Sequence, residues 1–529
     1  MTRALRIVAA VAGMVAVSTP AVAQKAGGIL KVWLIDSPAS MSIHEEATVV
    51  AERPMMAVFN NLVIFDQHIA QNSMDSIRPE LAKSWSWNEE GTELTFELRT
   101  GIKWHDGVPF TAADVKCTWD LLAERSADHL RVNPRKIWYS NLAEVKTNGD
   151  GQVSFVLKRP QPAFIALLAS GMSPVYPCHV SAAQMRQHPV GTGPFKFVEF
   201  KPNERITLAR NPDYWKPGLP YLDGIEYKVV RNQSTIILAF IAKQYDLTFA
   251  GSVTIPLLHD IENQRPEAIC TVPPGSVSTN LVVNLSKPPF DNPDLRRALA
   301  LAIDRKSFID ILTEGTAFMA AAMQPPPGGR WGMPKEMLQT LPGYDPDVAK
   351  NRAEARAIMQ KLGYGPDHKL KVTVSTRDTP PYRNPAVILL DQLKEIFVDA
   401  ELETIDTTQW YPRMNRKDYA VALNLTGTYV DDPDALLYEN YACGGIGNYG
   451  GYCNPEVDKL IDQQSMEQDQ EKRKHLVWEI EKRLTEDVAK PLIMFNKGAN
   501  CAQPQLKNQT VMVNSIYNGW RMEDIWLDQ

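Results

Sequence analysis

The 529-residue sequence predicts an α/β protein of two lobes hinged about a cleft, and three observations carry that prediction. The first is a turn-and-hairpin unit: Gly191-Thr192-Gly193-Pro194-Phe195, strands over 196–200 and 205–210, and the closing loop Asn211-Pro212-Asp213-Tyr214-Trp215. The second is a strand over 224–230, a helix over 234–242 and a strand over 245–249, the succession of a crossover connection. The third is the change of register at Pro273-Pro274-Gly275, beyond which a second set of strands and helices begins.

Taken in order, residues 28–35 carry apolar side chains on both faces, as a strand inside a sheet does. A short strand follows over 62–65. The alternation Leu94-Thr95-Phe96-Glu97-Leu98-Arg99 predicts a half-exposed strand. Thr111 caps a helix with Asp114 in its first turn and Val115, Trp119 and Leu122 on one face. His105-Asp106 before it reads as a polar turn, since no nucleophile or second metal ligand stands nearby in sequence. Another strand covers 153–157. Gly191 and Gly193 are expected to supply backbone angles that a Cβ resists, and Pro194 to launch an extended run. In the helix over 234–242, Ile237, Leu238 and Ile241 are expected to face inward.

In the second set, a strand covers 281–285 and Asn292-Pro293 opens a helix whose stripe is Leu295, Leu299, Ala302 and Ile303. A helix over 346–362 is capped by Asp345 and ended by Gly363. Strands over 370–375 and 400–405 flank a helix over 386–397. Helices over 455–463 and within 470–488 precede a strand over 491–495, and the remainder crosses back to complete the first lobe.

At the N-terminus, Arg3 and Arg6, an uncharged apolar run over 7–17 and Ala21-Val22-Ala23 have the layout of a secretory signal peptide cut before Gln24. A membrane anchor would need about 20 apolar residues. The net charge of −6, with no basic block, argues against nucleic acid as partner. No G-x-S-x-G, H-E-x-x-H, S-x-x-K or phosphate-cradling string occurs, so no catalytic residue is assigned. A secreted hydrolase working with a carboxylate pair is the alternative from another class. No cofactor or metal is expected, because Cys178-His179 lacks further ligands. Six cysteines in an exported chain permit disulfides: Cys443 with Cys453 across a glycine-rich loop, while Cys117, Cys178, Cys270 and Cys501 allow three connectivities.

The hairpin unit with its Asn211–Trp215 closure, the order ELAKSW, LTFELR, GIKWHDGVPFTAADV, and the string NLSKPPFDNPDLRRALALAIDRKSFI together resemble the family 5 extracytoplasmic solute-binding proteins of ABC transporters, the dipeptide, oligopeptide and nickel class. The resemblance implies a two-lobed periplasmic binding protein fold of type II with an extra subdomain in the first lobe. It implies a periplasmic, monomeric protein that is not an enzyme, takes a peptide or small-molecule solute in the interlobe cleft, and hands it to the transmembrane subunits of an ABC permease. The division would be a signal peptide over 1–23, a first lobe over 24–272 with its inserted subdomain at about 66–189, a second lobe over 273–497, and a return over 498–529.

By position, the resemblance points for solute contacts to Ser276, Ser278, Thr279 and Asn280 before the second-lobe strand, to Trp410, and to Asn424, Thr426, Thr428, Tyr429, Asp431 and Asp432 in a later loop. Each has a plainer reading: a solvated turn for Ser276 to Asn280, a core indole for Trp410, helix capping for Asp432 and Asp434. One departure stands out. Peptide binders of the family carry an aspartate that neutralises the peptide's amino terminus; with Asp432-Pro433-Asp434 aligned without a gap, Tyr429 occupies that place. Leu423 likewise stands where oligopeptide binders can carry an arginine. An unpaired buried ammonium is costly, so the departure favours a modified peptide or a non-peptide solute over free-amine peptides, unless Asp431 bends in as a substitute.

Overall fold

Strand Ile29–Leu34 pairs in parallel with Gly224–Val229 in the computed structural model, which describes residues 24–249 and 251–529. The signal-peptide reading over 1–23 lies outside the described residues. Arg205–Arg210 and Phe195–Lys201 extend the sheet antiparallel, so the predicted hairpin forms its outer half. The crossover returns on the other edge, where Leu247 bridges Val32 in parallel and Ala502 antiparallel. It does so as a single bridge, not as the regular strand expected over 245–249. Helix Gln233–Ile241 buries Ile236, Ile237 and Phe240 and leaves Leu238 60 % exposed. The inward stripe is therefore centred one position earlier than expected, and Leu238, about 100° further round the helix than Ile237, faces out.

The glycines of the hairpin unit also act differently from the expectation. Neither Gly191 nor Gly193 has a positive φ. A Cβ on Gly191 would lie 1.9 Å from the Val58 carbonyl oxygen, and one on Gly193 2.5 Å from it. The residues are small because two backbones meet, and the Gly193 N–H donates to that same oxygen at 2.8 Å. The closing loop serves this junction: Asn211 donates to the Gly193 carbonyl at 3.0 Å, and the Trp215 indole and Thr192 hydroxyl both donate to Asn60. His105 belongs to it too, its Nε2 3.0 Å from the Gly193 carbonyl, with burial holding the ring down to about 4.

A separate antiparallel sheet, Ala82–Trp87, Glu93–Leu98, Gln152–Leu157 and Leu142–Asn148, is inserted in this lobe. Strand Glu93–Leu98 alternates half-buried and buried residues as its sequence does. Helix Ala112–Leu122 covers the sheet from a Thr111–Asp114 capping box and is tied by the Cys117–Cys178 disulfide.

The second lobe holds a six-stranded mixed sheet in the order Phe318–Met319, Leu492–Phe495, Val277–Val283, Val421–Gly427, Leu370–Arg377, Val398–Ile405. Its central strand begins at Val277 instead of 281, because Ser278, Thr279 and Asn280 are strand residues buried between two neighbours. Their polarity conceals the strand; they bond to one another and to adjacent strands. Helix Pro380–Lys394 also starts earlier than expected, with two prolines in a first turn where the missing N–H groups have no intrahelical partner to lose. Helix Val348–Lys361 is capped by Asp347, while Asp345 pairs with Lys350, and Gly363 at φ +88° follows its end.

Two segments join the lobes side by side. Strands Ile269–Thr271 and Asn500–Ala502 pair antiparallel and are crosslinked by Cys270–Cys501, with Cα atoms 4.1 Å apart. Just beyond, a Cβ on Gly275 would lie 1.4 Å from the Asn496 carbonyl oxygen, so the two backbones touch. Cys443 and Cys453 are bonded as expected. No helix among the described residues is long and apolar enough to cross a membrane.

Candidate ligand-binding cleft

A cavity of about 270 Å³ lies where the two lobes face each other. One wall comes from the first lobe and the C-terminal return, with Val49, Phe249, Ser515, Tyr517 and Trp520; the other comes from the second lobe, with Arg377, Tyr382, Asn424, Tyr429, Glu439 and Tyr449.

The cleft is shut by polar contacts on three sides. Arg377, the last residue of its strand, reaches Asp36 just beyond strand Ile29–Leu34 at 3.3 Å, and Arg231 approaches Asp36 at 3.0 Å and Asp406 at 3.4 Å. The Thr407 hydroxyl donates to the same carboxylate. The inserted subdomain grips helix Pro433–Asn440 and its neighbour: Gln161 donates to Asp434 at 2.8 Å, the Trp138 indole to Glu439 at 3.1 Å, and Arg159 pairs with Asp462 at 2.7 Å. The Tyr429 carbonyl accepts from Ser515 and Asn518 at 2.7 and 2.9 Å.

Charge inside the cavity is sparse. Glu439 is 5 % exposed and its two oxygens accept from the Tyr429 hydroxyl at 3.2 Å and from Trp138. Burial pushes its carboxyl up to about 7, against the opposing pull of Arg135, those two hydrogen bonds and Lys490. Arg377 lies over the rings of Tyr382 and Tyr411 and donates to the Tyr382 and Thr407 hydroxyls. Burial raises the phenols of Tyr411, Tyr429, Tyr449 and Tyr517, which keeps them protonated hydrogen-bonding groups. The rings of Tyr429 and Tyr517 stack with centroids 4.4 Å apart. Asn424, 4 % exposed, presents an Oδ1 without a partner among the described residues.

Of the residues singled out by sequence, Ser276, Asn424, Thr426 and Tyr429 stand on the cavity wall. Ser278, Thr279 and Asn280 sit behind it: Thr279 donates to Asn496 at 2.7 Å and Asn280 to the Thr426 hydroxyl at 3.0 Å. Thr428 is buried, its N–H on the Ser276 carbonyl. Trp410 is wholly buried with Val282, Met414 and Tyr419, and the neighbouring Tyr411 reaches the cavity in its place. Asp431 accepts from Asn514 at 3.1 Å and does not stand on the cavity wall. Asp432 caps helix Pro433–Asn440 and pairs, with Asp434, to the buried Arg473 at 2.7 and 3.2 Å. Leu423 lies in the second-lobe core.

Sequence reasoning missed Arg377, Tyr382, Tyr411, Glu439, Tyr449 and Tyr517. They come from separate segments, and each taken alone reads as an ordinary helix or loop residue. The one available signal was the tyrosine beside Trp410.

A cavity walled by two α/β lobes that polar contacts hold together defines a solute-trapping receptor. The comparisons place it more narrowly: the profile of the bacterial extracellular solute-binding proteins, family 5 Middle, matches residues 76–448, and the chain belongs to that family. It is 24 % identical over 465 residues to the probable di/tripeptide-binding protein 5 of Pseudomonas aeruginosa, covering 81 % of this chain and 82 % of that one. It is 27 % identical over 400 residues to an Escherichia coli glutathione-binding protein, covering 72 % and 73 %. The Helicobacter pylori periplasmic binding protein DppA, in complex with the peptide STSA, superposes with a TM-score of 0.83 at 22 % identity, over 96 % of this chain and 99 % of that one. AgaA of Agrobacterium tumefaciens R10, in complex with agropinic acid, gives 0.82 at 22 % identity, over 95 % and 99 %. Substrate binding for an ABC transporter is the role of this family, and the hydrolase alternative falls with that assignment.

Proposed function

We propose that the chain from Gln24 onward is a periplasmic, monomeric receptor that captures one small organic or peptide-like solute between its lobes and delivers it to the transmembrane subunits of an ABC permease, the segment over 1–23 being removed on export. The observation that carries the reading is the cavity itself. At about 270 Å³ it lies at the small end of ligand pockets, and its wall is shared by both lobes. A solute touching both walls favours the closed form, which is the form a membrane partner can distinguish. Ser276, Asn424, Thr426 and Tyr429, with Arg377, Tyr411, Glu439, Tyr449 and Tyr517, are the proposed contacts. The lobes would turn about the crossings near 272–273 and 497–498, where the paired segments lie.

Relatives bind di- and tripeptides or glutathione, and structural neighbours hold a peptide or agropinic acid. Tyr429 in the aspartate's place favours a non-peptide or amine-blocked solute here. The test is a thermal melt and small-angle X-ray scattering of the mature protein with free and N-acetylated dipeptides, glutathione, sugars, opines, carboxylic acids and organic amines. A binder at 100 times its Kd adds about 2.7 kcal/mol, roughly 2 °C for a chain of this size, and contracts the molecule. If no class of solute shifts either the midpoint or the radius, the receptor reading fails.

A further inference from the structure

The polar inventory of the cavity is one-sided. Its charged lining side chains are Arg377, Glu439 and Lys497. Arg377 is matched by Asp36 and has its N–H groups engaged by Thr407 and Tyr382. Lys497 sits at the rim with its ammonium on the Thr316 carbonyl. Glu439 differs: no cation lies within ion-pair distance of it among the described residues. Arg135 is bonded to the Ile43 and Glu46 carbonyls, and Lys490 to Asn440. Both act on Glu439 from beyond the cavity wall, so the cavity side of the carboxylate is uncompensated.

Among the remaining free polar atoms are both ends of the Asn424 amide and several hydroxyls. The Oδ1 of Asn424 has no partner, and the hydroxyls of Tyr411, Tyr449 and Tyr517 make no hydrogen bond among the described residues. Of the two cations on the wall, Arg377 is matched by Asp36 and Lys497 stands at the rim, and neither pairs with Glu439. Five tyrosines, Tyr382, Tyr411, Tyr429, Tyr449 and Tyr517, line the same cavity as the carboxylate, and aromatic faces carry the negative end of the ring quadrupole.

We propose that the solute is an organic cation whose charge is spread over alkyl groups, seated against the tyrosines with Glu439 as its counter-charge; this rests on the solute-receptor reading above. A primary ammonium fits less well. It carries three donors that need acceptors, whereas both oxygens of Glu439 are already committed to Tyr429 and Trp138, and among the described residues of the cavity wall Asn424 has the one buried unpartnered amide oxygen. An ammonium alkylated at every position carries no N–H donor and takes its stabilisation from ring faces and from the fixed negative charge.

Proton linkage follows from the same geometry. The groups acting on Glu439 are Tyr429 and Trp138 by hydrogen bond, Arg135 and Lys490 through space, and Tyr411, Tyr449 and Tyr517 across the cavity. With its carboxyl pushed up to about 7, Glu439 must lose a proton to serve as counter-charge. Affinity for a cation therefore falls about tenfold per pH unit below 7, and affinity for a neutral solute does not.

The experiment uses thermal melts and calorimetry of the mature protein with choline and tetramethylammonium, the neutral isostere 3,3-dimethylbutan-1-ol, and n-butylammonium and a free-amine dipeptide as primary ammonium probes. The expected result is stabilisation by choline or tetramethylammonium and not by the isostere, weakened about 100-fold in Glu439→Gln and weakening with acid in the wild type. The acid series and a Tyr449→Leu variant keep the test open if Glu439→Gln fails to fold. Response to primary ammonium probes alone overturns the assigned head group. Response to neutral or anionic solutes alone overturns the cation and leaves the receptor reading standing, and silence from every class of solute defeats the receptor reading itself.

Discussion

Replacing Arg377 with methionine should weaken closure more than folding. In the closed form Asp36 is 1 % exposed and faces Arg377 at 3.3 Å and Arg231 at 3.0 Å. Truncating one member of a buried, hydrogen-bonded charge pair costs about 2–5 kcal/mol. Arg231 still covers one side of the carboxylate, so the low end, about 2 kcal/mol, applies. When the cleft opens, water reaches Asp36 and the penalty disappears. The cost thus falls on the closed form alone, lowering the closed-to-open ratio and the apparent affinity for a bound solute by roughly 30-fold. Because Arg377 also lines the cavity, Asp36→Asn is the necessary companion: it lies on the other lobe and is not on the cavity wall. Calorimetry gives the affinities, scattering without solute gives the closed fraction, and the double variant completes a cycle. The reasoning is refuted if Arg377→Met lowers the unfolding midpoint with affinity unchanged, or if the two single effects simply add.

Three further outcomes are expected. Arg473→Met should destabilise the second lobe by about 3–5 kcal/mol in urea unfolding, because Asp432 and Asp434 are left buried without their cation; a loss below 1 kcal/mol would mean that the triad is dispensable. Gly275→Ala should push apart the two crossing segments, since its Cβ would fall 1.4 Å from the Asn496 oxygen, costing about 1–3 kcal/mol and abolishing solute-induced contraction in scattering. The solute-free protein should lose stability as pH rises from about 4.5 through 7 on account of Glu439: over that window the folded state holds a proton that the unfolded chain has released. The contribution is whole below 4.5, is lost above 7, and amounts to on the order of 3 kcal/mol, so Glu439→Gln should flatten the pH profile of unfolding.

The fold was legible where its signals are local. Alternation in 94–99, the Thr111 cap and the hairpin after Pro194 each report on a few adjacent residues, and each element formed where it was expected. Signals that depend on distant partners misled. Gly191 and Gly193 look like torsional devices, yet they are small because Val58 arrives from 133 residues away in the case of Gly191. Ser278, Thr279 and Asn280 look like a solvated turn because their hydrogen-bond partners lie on other strands. The cavity suffers most from this: its carboxylate comes from the last turn of a helix, its guanidinium from the end of a strand, its rings from two further helices and from loops. Tyr429 flagged a missing aspartate, and only the fold reveals that Tyr429 holds the carboxylate of Glu439 in its stead.

Two independent connecting tapes would let the lobes rock, twist and slide. The Cys270–Cys501 bond and the pairing of Ile269–Thr271 with Asn500–Ala502 fuse the tapes into one ribbon. A ribbon flexes easily about its width and resists torsion and shear, which favours opening like a book on a spine over twisting or sliding. The same two rims then meet at every closure, and the direction from which a passenger can leave is set by the binding before any passenger has arrived.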